Sequence, residues 1–117
     1  MTLFHPSIGA EAIILLLRNM GVLLKSGVPL VRVLTTLESD MPKRKRGVLT
    51  HLKQSVETGR PLSEAMETSP ARFPPLAINL VRTGELSGTL EESLAAIVKH
   101  LRAAQDLRHR VRPRRTA

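Results

Sequence analysis

The feature of this sequence that most constrains its fold is a short pattern of glycine, proline and leucine that occurs twice. GVPL stands at residues 27–30 and GRPL at residues 59–62, and a further apolar residue follows four positions after each leucine. The glycine lets one helix end in a left-handed conformation, and the proline preorganises the first turn of the next helix. The pattern therefore predicts two helix–corner–helix units built in the same way. Their corner residues are Gly27, Pro29, Gly59 and Pro61.

Apolar residues recur at helical spacing along the rest of the chain. The first stripe runs from Ile13 to Leu24, and we expect its helix to start after Ser7, as the capping residue, and to stop before Gly27. Similar stripes predict five more helices, whereas no stretch alternates apolar and polar residues as a strand would. The sequence thus predicts an all-α fold, a compact bundle of six antiparallel helices with short Gly/Pro corners. We expect the domain to span residues 8–112, and residues 113–117 to be a basic tail, either disordered or an artificial chain end.

The first helix is apolar over more of its circumference than one buried face requires. Ile14, Leu15 and Val22 lie outside its main stripe. We predict that these three side chains form the face of a symmetric homodimer. The alternative is that the first helix is central and surrounded by the other five, which would bury the same side chains within one chain.

The most apolar stretch, at residues 12–24, is not a membrane-spanning candidate. It has thirteen residues and contains Arg18 and Asn19, so it is too short and too polar to cross a bilayer. We interpret it as a buried helix of a folded domain.

The formal net charge of +8 is concentrated in two short segments. Residues 98–117 carry +6 and the KRKR run at 43–46 carries +4, so the remainder carries −2. The run is either a solvated helix start or a site for an acidic partner or lipid. With only two Phe and no Tyr or Trp, base-stacking platforms for single strands are essentially absent. A helix that reads duplex nucleic acid remains an alternative, because it needs no aromatic side chains.

Residues that could support catalysis are scarce. The chain has no cysteine, its four histidines have no ligand spacing, and neither a phosphate-binding glycine loop nor a G-x-S-x-G motif occurs. We therefore expect no enzymatic activity, no cofactor and no metal site.

One carboxylate stands out, in the segment RTGELSG at residues 82–88. We expect Glu85 to lie between Gly84 and Gly88 at the corner of the fifth and sixth helices, near the free N–H groups of the sixth. The side chain would then cap or brace that corner. The alternative is a contact with a partner or a bound cation.

Three segments in order resemble the type II secretion system F family. They are LRNMGVLLKSGVPLVRVL at residues 17–34, VETGRPLSEAM at 56–66 and FPPLAINLVRTGELSGTLEESL at 73–94, and with their spacing they cover about residues 8–112. The resemblance marks the corner between the fifth and sixth helices, with Gly84, Glu85 and Gly88, as the most characteristic family motif, and Phe73 and Pro74 as the loop before the fifth helix.

The resemblance implies an inner-membrane platform protein of a type II secretion or type IV pilus machine. This chain would be one of its two related cytoplasmic helical domains, and its motifs LLKSGVPL and GRPLSEAM resemble the first copy more than the second. The domain would help couple an assembly ATPase to pilin or pseudopilin assembly. The implied partners are that ATPase and other platform components, within a full-length protein embedded in the membrane. The basic residues Arg108, Arg110 and Arg112 would lie close to the membrane. The alternative function is a basic helical domain that binds nucleic acid.

Overall fold

The fold is all-α, as the apolar stripes predict. A computed structural model of the chain describes residues 9–111, with the backbone alone at 109–111. Within this range there are six α-helices and one 3₁₀ turn, and no strand. They are α1 (Ala10–Lys25), α2 (Leu30–Asp40), the 3₁₀ turn (Lys43–Lys45), α3 (Gly47–Glu57), α4 (Leu62–Glu67), α5 (Pro75–Ser87) and α6 (Leu90–Val111).

The two predicted Gly/Pro corners have the same hydrogen-bond geometry. Gly27 and Gly59 have φ of 93° and 94°, in the left-handed region that glycine adopts without steric cost. After α1 the N–H of Val28 donates to the carbonyl of Leu23 at 3.2 Å, and after α3 the N–H of Arg60 donates to that of Ser55 at 3.1 Å. Both corners are thus Schellman motifs, which close a helix by satisfying its last carbonyl groups.

Some predicted helix starts are displaced by one or two residues. Pro29 and Pro61 are extended capping residues, so α2 and α4 begin one position later, at the following leucine. The prediction for α1 is wrong in the same direction, because this helix begins at Ala10 and Gly9 occupies the cap position. Ser7 lies outside the described residues.

The helices form a closed ring in chain order. Each helix packs mainly against its neighbours along the chain, and α1 also packs against α6. The α1–α6 pair is antiparallel, since a side chain built at Gly21 would meet Leu94 while Glu11 lies beside Arg102. The alternative of a central first helix is therefore wrong, because α1 is one member of the ring.

The buried core draws on all six helices. The sequence predicts an apolar stripe of Leu76, Ile78, Leu80 and Val81 for the fifth helix. This stripe is wrong in part, because Leu76 is exposed whereas Ala77, Val81 and Gly84 face inward. Small residues on this face let α5 lie close to its neighbours. The largest fully buried side chains are Leu17, Met20, Leu34, Leu49, Leu52, Leu62, Met66, Leu94, Ile97, Val33 and Val81.

A polar cluster joins α2 to α3. The Glu38 carboxylate accepts a hydrogen bond from the Thr50 hydroxyl and one from Lys53 Nζ, the second at 2.9 Å. These bonds favour the charged carboxylate, so they hold the pKa of Glu38 below its usual 4.5. The bond from Lys53 to Glu38 likewise raises the pKa of the Lys53 amine above 10.5, so the amine stays charged into more alkaline solution. The cluster therefore stabilises the bundle more strongly while Glu38 is ionised.

We predict that Glu38→Gln removes an acid-sensitive part of the stability. Because the folded pKa is depressed, the contribution of Glu38 is present above its unfolded pKa and is lost as the pH falls through the folded pKa. Urea unfolding should show the wild type as more stable at neutral pH, with the two proteins converging in acid. Glu67→Gln, which breaks an exposed pair with Arg82, is the control. A wild-type advantage that persists unchanged in acid would contradict the assignment.

Candidate interaction site

The Glu85 side chain braces a helix start, but not the one that the sequence predicted. It lies in the last turn of α5, and its carboxylate accepts hydrogen bonds from the backbone N–H of Ser63 at 3.0 Å and from the Ser63 hydroxyl at 2.6 Å. Ser63 belongs to the first turn of α4, so the prediction of a contact with the start of α6 is wrong. The reason is that Glu85 is still part of α5, and its side chain projects from this helix toward α4 rather than toward the start of α6.

This contact replaces an ordinary helix cap. Pro61, the capping residue of α4, has no side-chain hydrogen-bonding group, so the N–H groups of the first turn need another acceptor. The Glu85 carboxylate supplies a negative charge where the helix dipole is positive. It also satisfies the hydroxyl of Ser63, which is buried. A residue distant in sequence therefore fixes the start of the shortest helix.

Gly84 sets the distance between α5 and α6. A side chain built there would place its Cβ 2.3 Å from Ser93 Oγ, 2.9 Å from Ser93 Cβ and 3.1 Å from Leu90 Cα. The hydroxyl can rotate away, but the Leu90 backbone cannot move without separating the helices. Gly88 then ends α5 with φ of 74°, and the N–H of Thr89 donates to the Gly84 carbonyl at 2.9 Å.

The remaining motif residues also have contacts within the chain. Phe73 is part of the hydrophobic core, and Pro74 is the capping residue that precedes α5. The corner motif thus positions three helices, and a partner contact or a bound cation at Glu85 remains a prediction.

Sequence reasoning missed the exposed side chain of the same corner. Leu86 is 84% exposed at the end of α5. It follows Gly84 by two residues, which on a helix is a rotation of about 200°, so it points away from the buried face. This exposure could have been predicted had the segment been assigned to the fifth helix instead of to the corner after it.

An open groove of about 450 Å³ runs between α1 and α6. Its apolar floor includes Leu17, Leu94 and Val98, and Gly21 lets the two helices approach there. Charged side chains form the rim: Arg18 and Lys25 on α1, and Glu91, Glu92 and Arg102 on α6. The groove thus combines a hydrophobic surface with charges of both signs, as a protein-binding surface does.

The three residues of the predicted dimer face differ in their exposure to solvent. Ile14 is only 2% exposed, so its inclusion is wrong, because the fold of one chain already buries it. Leu15 and Val22 are 41% and 53% exposed. They belong to an outer stripe of α1, beside the groove, in which Leu15, Arg18, Val22 and Lys25 follow one another at intervals of three, four and three residues.

The C-terminal helix, α6, continues to Val111, well past Leu101. Arg108 is exposed, Arg110 lies in the helix with only its backbone described, and Arg112 lies outside the described residues. Among the helices in the described part of the chain, none has the length and apolar character needed to cross a membrane.

We predict that Glu85→Gln lowers the free energy of unfolding by about 1–2 kcal/mol, because the first turn of α4 loses a charged acceptor. Chemical denaturation measures this loss. Glu64→Gln is the matched control, since it removes the same charge from the exposed pair that Glu64 of α4 makes with Arg60 and should cost at most about 0.5 kcal/mol. Equal stability of Glu85→Gln and the wild type would show that the brace contributes nothing.

Comparison with known proteins identifies the family of the chain. The sequence profile described as "Type II secretion system (T2SS), protein F" matches residues 16–115. The chain is 35% identical over 96 residues to the type 4 fimbrial assembly protein PilC of Pseudomonas putida, covering 81% of this chain and 24% of that protein.

Two further relatives come from a secretion system and from a pilus system. The chain is 31% identical over 102 residues to the type II secretion system protein F of Xanthomonas campestris pv. campestris, with 86% of this chain and 25% of the relative covered. It is 32% identical over 105 residues to the type IV pilus assembly protein PilC of Thermus thermophilus, with 89% and 26% covered. The chain thus spans about a quarter of the length of these curated relatives. It belongs to the type II secretion system F family.

Proposed function

We propose that this chain is a non-enzymatic interaction domain of an inner-membrane platform protein in a type II secretion or type IV pilus machine. The domain lies on the cytoplasmic side and helps to couple an assembly ATPase to the assembly of pilins or pseudopilins. Family membership over residues 16–115 is the observation that carries this proposal. The names of the relatives, which include both secretion and pilus assembly proteins, are consistent with either machine.

The structure is consistent with a domain that acts by binding partners through its exposed surfaces. Its most distinctive motif forms contacts inside the bundle, through Gly84, Glu85 and Phe73. What it presents outward is the α1–α6 groove, the exposed Leu86 and a basic turn at Lys43–Lys45. Family membership also favours a platform protein over a nucleic-acid-binding domain. In a platform protein the net positive charge is explained by attraction to an anionic membrane surface, so no nucleic acid is needed to account for it.

We expect the domain to form a homodimer through the outer stripe of α1 and the groove beside it. Leu15 and Val22 supply the exposed apolar contact on α1. Since Gly21 lies beside Leu94, Val22 is level with the first turns of α6, where Glu91 and Glu92 line the groove. An antiparallel pairing of two α1 helices, centred between Arg18 and Val22, would bring Arg18 of one copy next to these carboxylates of the other. The interface is therefore complementary to itself in charge.

Light scattering at tens of micromolar tests this dimer with a charge exchange. We expect a dimer for the wild type and folded monomers for Arg18→Glu and for the double variant Glu91→Lys, Glu92→Lys, because each places like charges in contact. Combining all three substitutions should restore the dimer. Circular dichroism confirms that each variant is folded. A monomeric wild type, or a triple variant that stays monomeric while both parents are folded, would contradict the interface.

The platform role is tested in the source cell by deleting the codons for residues 9–111 in frame from the gene that encodes the chain. We expect loss of surface pili or of secreted proteins, and whichever is lost identifies the machine. Immunoblots of the membrane fraction must show that the shortened protein is still present, and plasmid-borne wild type should restore the phenotype. Normal piliation together with normal secretion would contradict the proposal.

A further inference from the structure

The 3₁₀ turn between α2 and α3 presents three cations side by side. Lys43, Arg44 and Lys45 occupy consecutive positions, and all three residues are exposed. Among the described residues, none of the three takes part in an ion pair. The nearest carboxylate in sequence is the exposed Asp40 at the end of α2, and residues 40–46 together carry a net charge of +3.

The turn is held in place by the fourth cation of the run. Arg46 Nε donates to the Met41 carbonyl at 2.9 Å, and Arg46 Nη2 donates to the Ser39 carbonyl at 3.3 Å. The guanidinium thereby caps the C-terminal end of α2, while the N–H of Lys45 closes the turn onto the Pro42 carbonyl at 2.8 Å. The KRKR run therefore divides into one structural residue and three exposed charges on an anchored loop.

The arrangement of these charges restricts what the turn can bind. Successive residues of a 3₁₀ turn are rotated by about 120°, so the three side chains spread apart and cannot converge on one small anion. Each side chain has a long, flexible aliphatic part, so the three charged groups can contact separate points of one extended negative surface. A diffuse anionic layer fits this geometry better than a single phosphate group does.

A specific protein partner fits less well. Protein interfaces are organised around apolar or aromatic anchors, and lysine is depleted in them. The large exposed apolar side chains of the described residues lie on α1, α5 and α6, and none of them belongs to residues 40–47. The turn thus offers charge without an anchor, which is how basic segments associate with anionic headgroups.

We propose that Lys43, Arg44 and Lys45 form an electrostatic contact with the anionic lipid headgroups of a membrane. The choice of lipid over another extended polyanion rests on the proposed function, which places the domain beneath an inner membrane. In such a position the turn is a second basic contact besides the C-terminal end of α6.

Vesicle sedimentation with the purified chain tests this proposal. The probes are phosphatidylcholine vesicles with and without phosphatidylglycerol, at low and at physiological salt. We expect binding only to the anionic vesicles, weakening with salt as screening shortens the range of the charges. The triple variant Lys43→Gln, Arg44→Gln, Lys45→Gln should bind about tenfold more weakly or worse, because each lost cation removes part of the attraction.

The matched control removes the same charge elsewhere. Arg32, Arg72 and Lys99 are exposed and lie outside the ion pairs of the described residues, so their triple replacement by Gln changes the net charge equally. This variant should bind anionic vesicles within about threefold of the wild type, because its charges are dispersed. Both variants keep the basic C-terminal residues, so any binding due to those residues is common to them.

Four results would overturn the proposal: no binding of the wild type to anionic vesicles, wild-type binding by the turn variant, an equal loss in the control, or duplex DNA binding that is as tight as lipid binding at the same salt and is lost in the turn variant. The last would assign the turn to nucleic acid. The assay uses only the chain and lipid, so it can fail while the deletion of residues 9–111 still abolishes piliation or secretion. Conversely, the purified chain can bind lipid through the turn while the deletion of residues 9–111 leaves piliation and secretion normal. That outcome would support the lipid contact and reject the platform role.

Discussion

The absence of a side chain at Gly84 is the constraint on which the arrangement of the bundle depends. It allows α5 to lie against the Leu90 backbone and Ser93 of α6 at a distance that no larger residue permits. That spacing fixes the last turn of α5, from which Glu85 reaches the start of α4. It also sets the position of α6, whose other side closes the ring against α1. One glycine thus connects the bracing of the shortest helix to the groove on the opposite side of α6.

Polar contacts in this bundle mostly serve the ends and edges of helices. Arg46 caps the carbonyl end of α2, Glu85 caps the N–H end of α4, and the Glu38 cluster joins α2 to α3 at the edge of the core. Such contacts are directional, whereas the leucine-rich core is not, so they select one arrangement of short helices among several that could bury the same apolar area. The charges left exposed are therefore the ones available to partners.

Much of the fold can be read from local sequence, because helix ends and stripes depend on neighbouring residues. Gly27 and Gly59 form the predicted corners, and the predicted α1 stripe is buried from Ile13 to Met20 and partly buried at Leu23 and Leu24. The site is less predictable because it depends on contacts between distant residues. Glu85 could not be assigned to Ser63, twenty-two positions away, without the packing of α4 on α5. The burial of Ile14 likewise follows from the tertiary structure, since helical spacing alone places it off the core stripe of α1.

The closed ring also determines how the domain responds to force. Because α1 and α6 are antiparallel neighbours, with Glu11 beside Arg102 and Gly21 beside Leu94, a pull along the axis of α6 loads a long side-by-side seam in shear. Shear requires many packed side chains to yield together, whereas peeling would break them one at a time. A pull along the axis of α6 is therefore expected to meet more resistance than a pull that peels α6 away from α1.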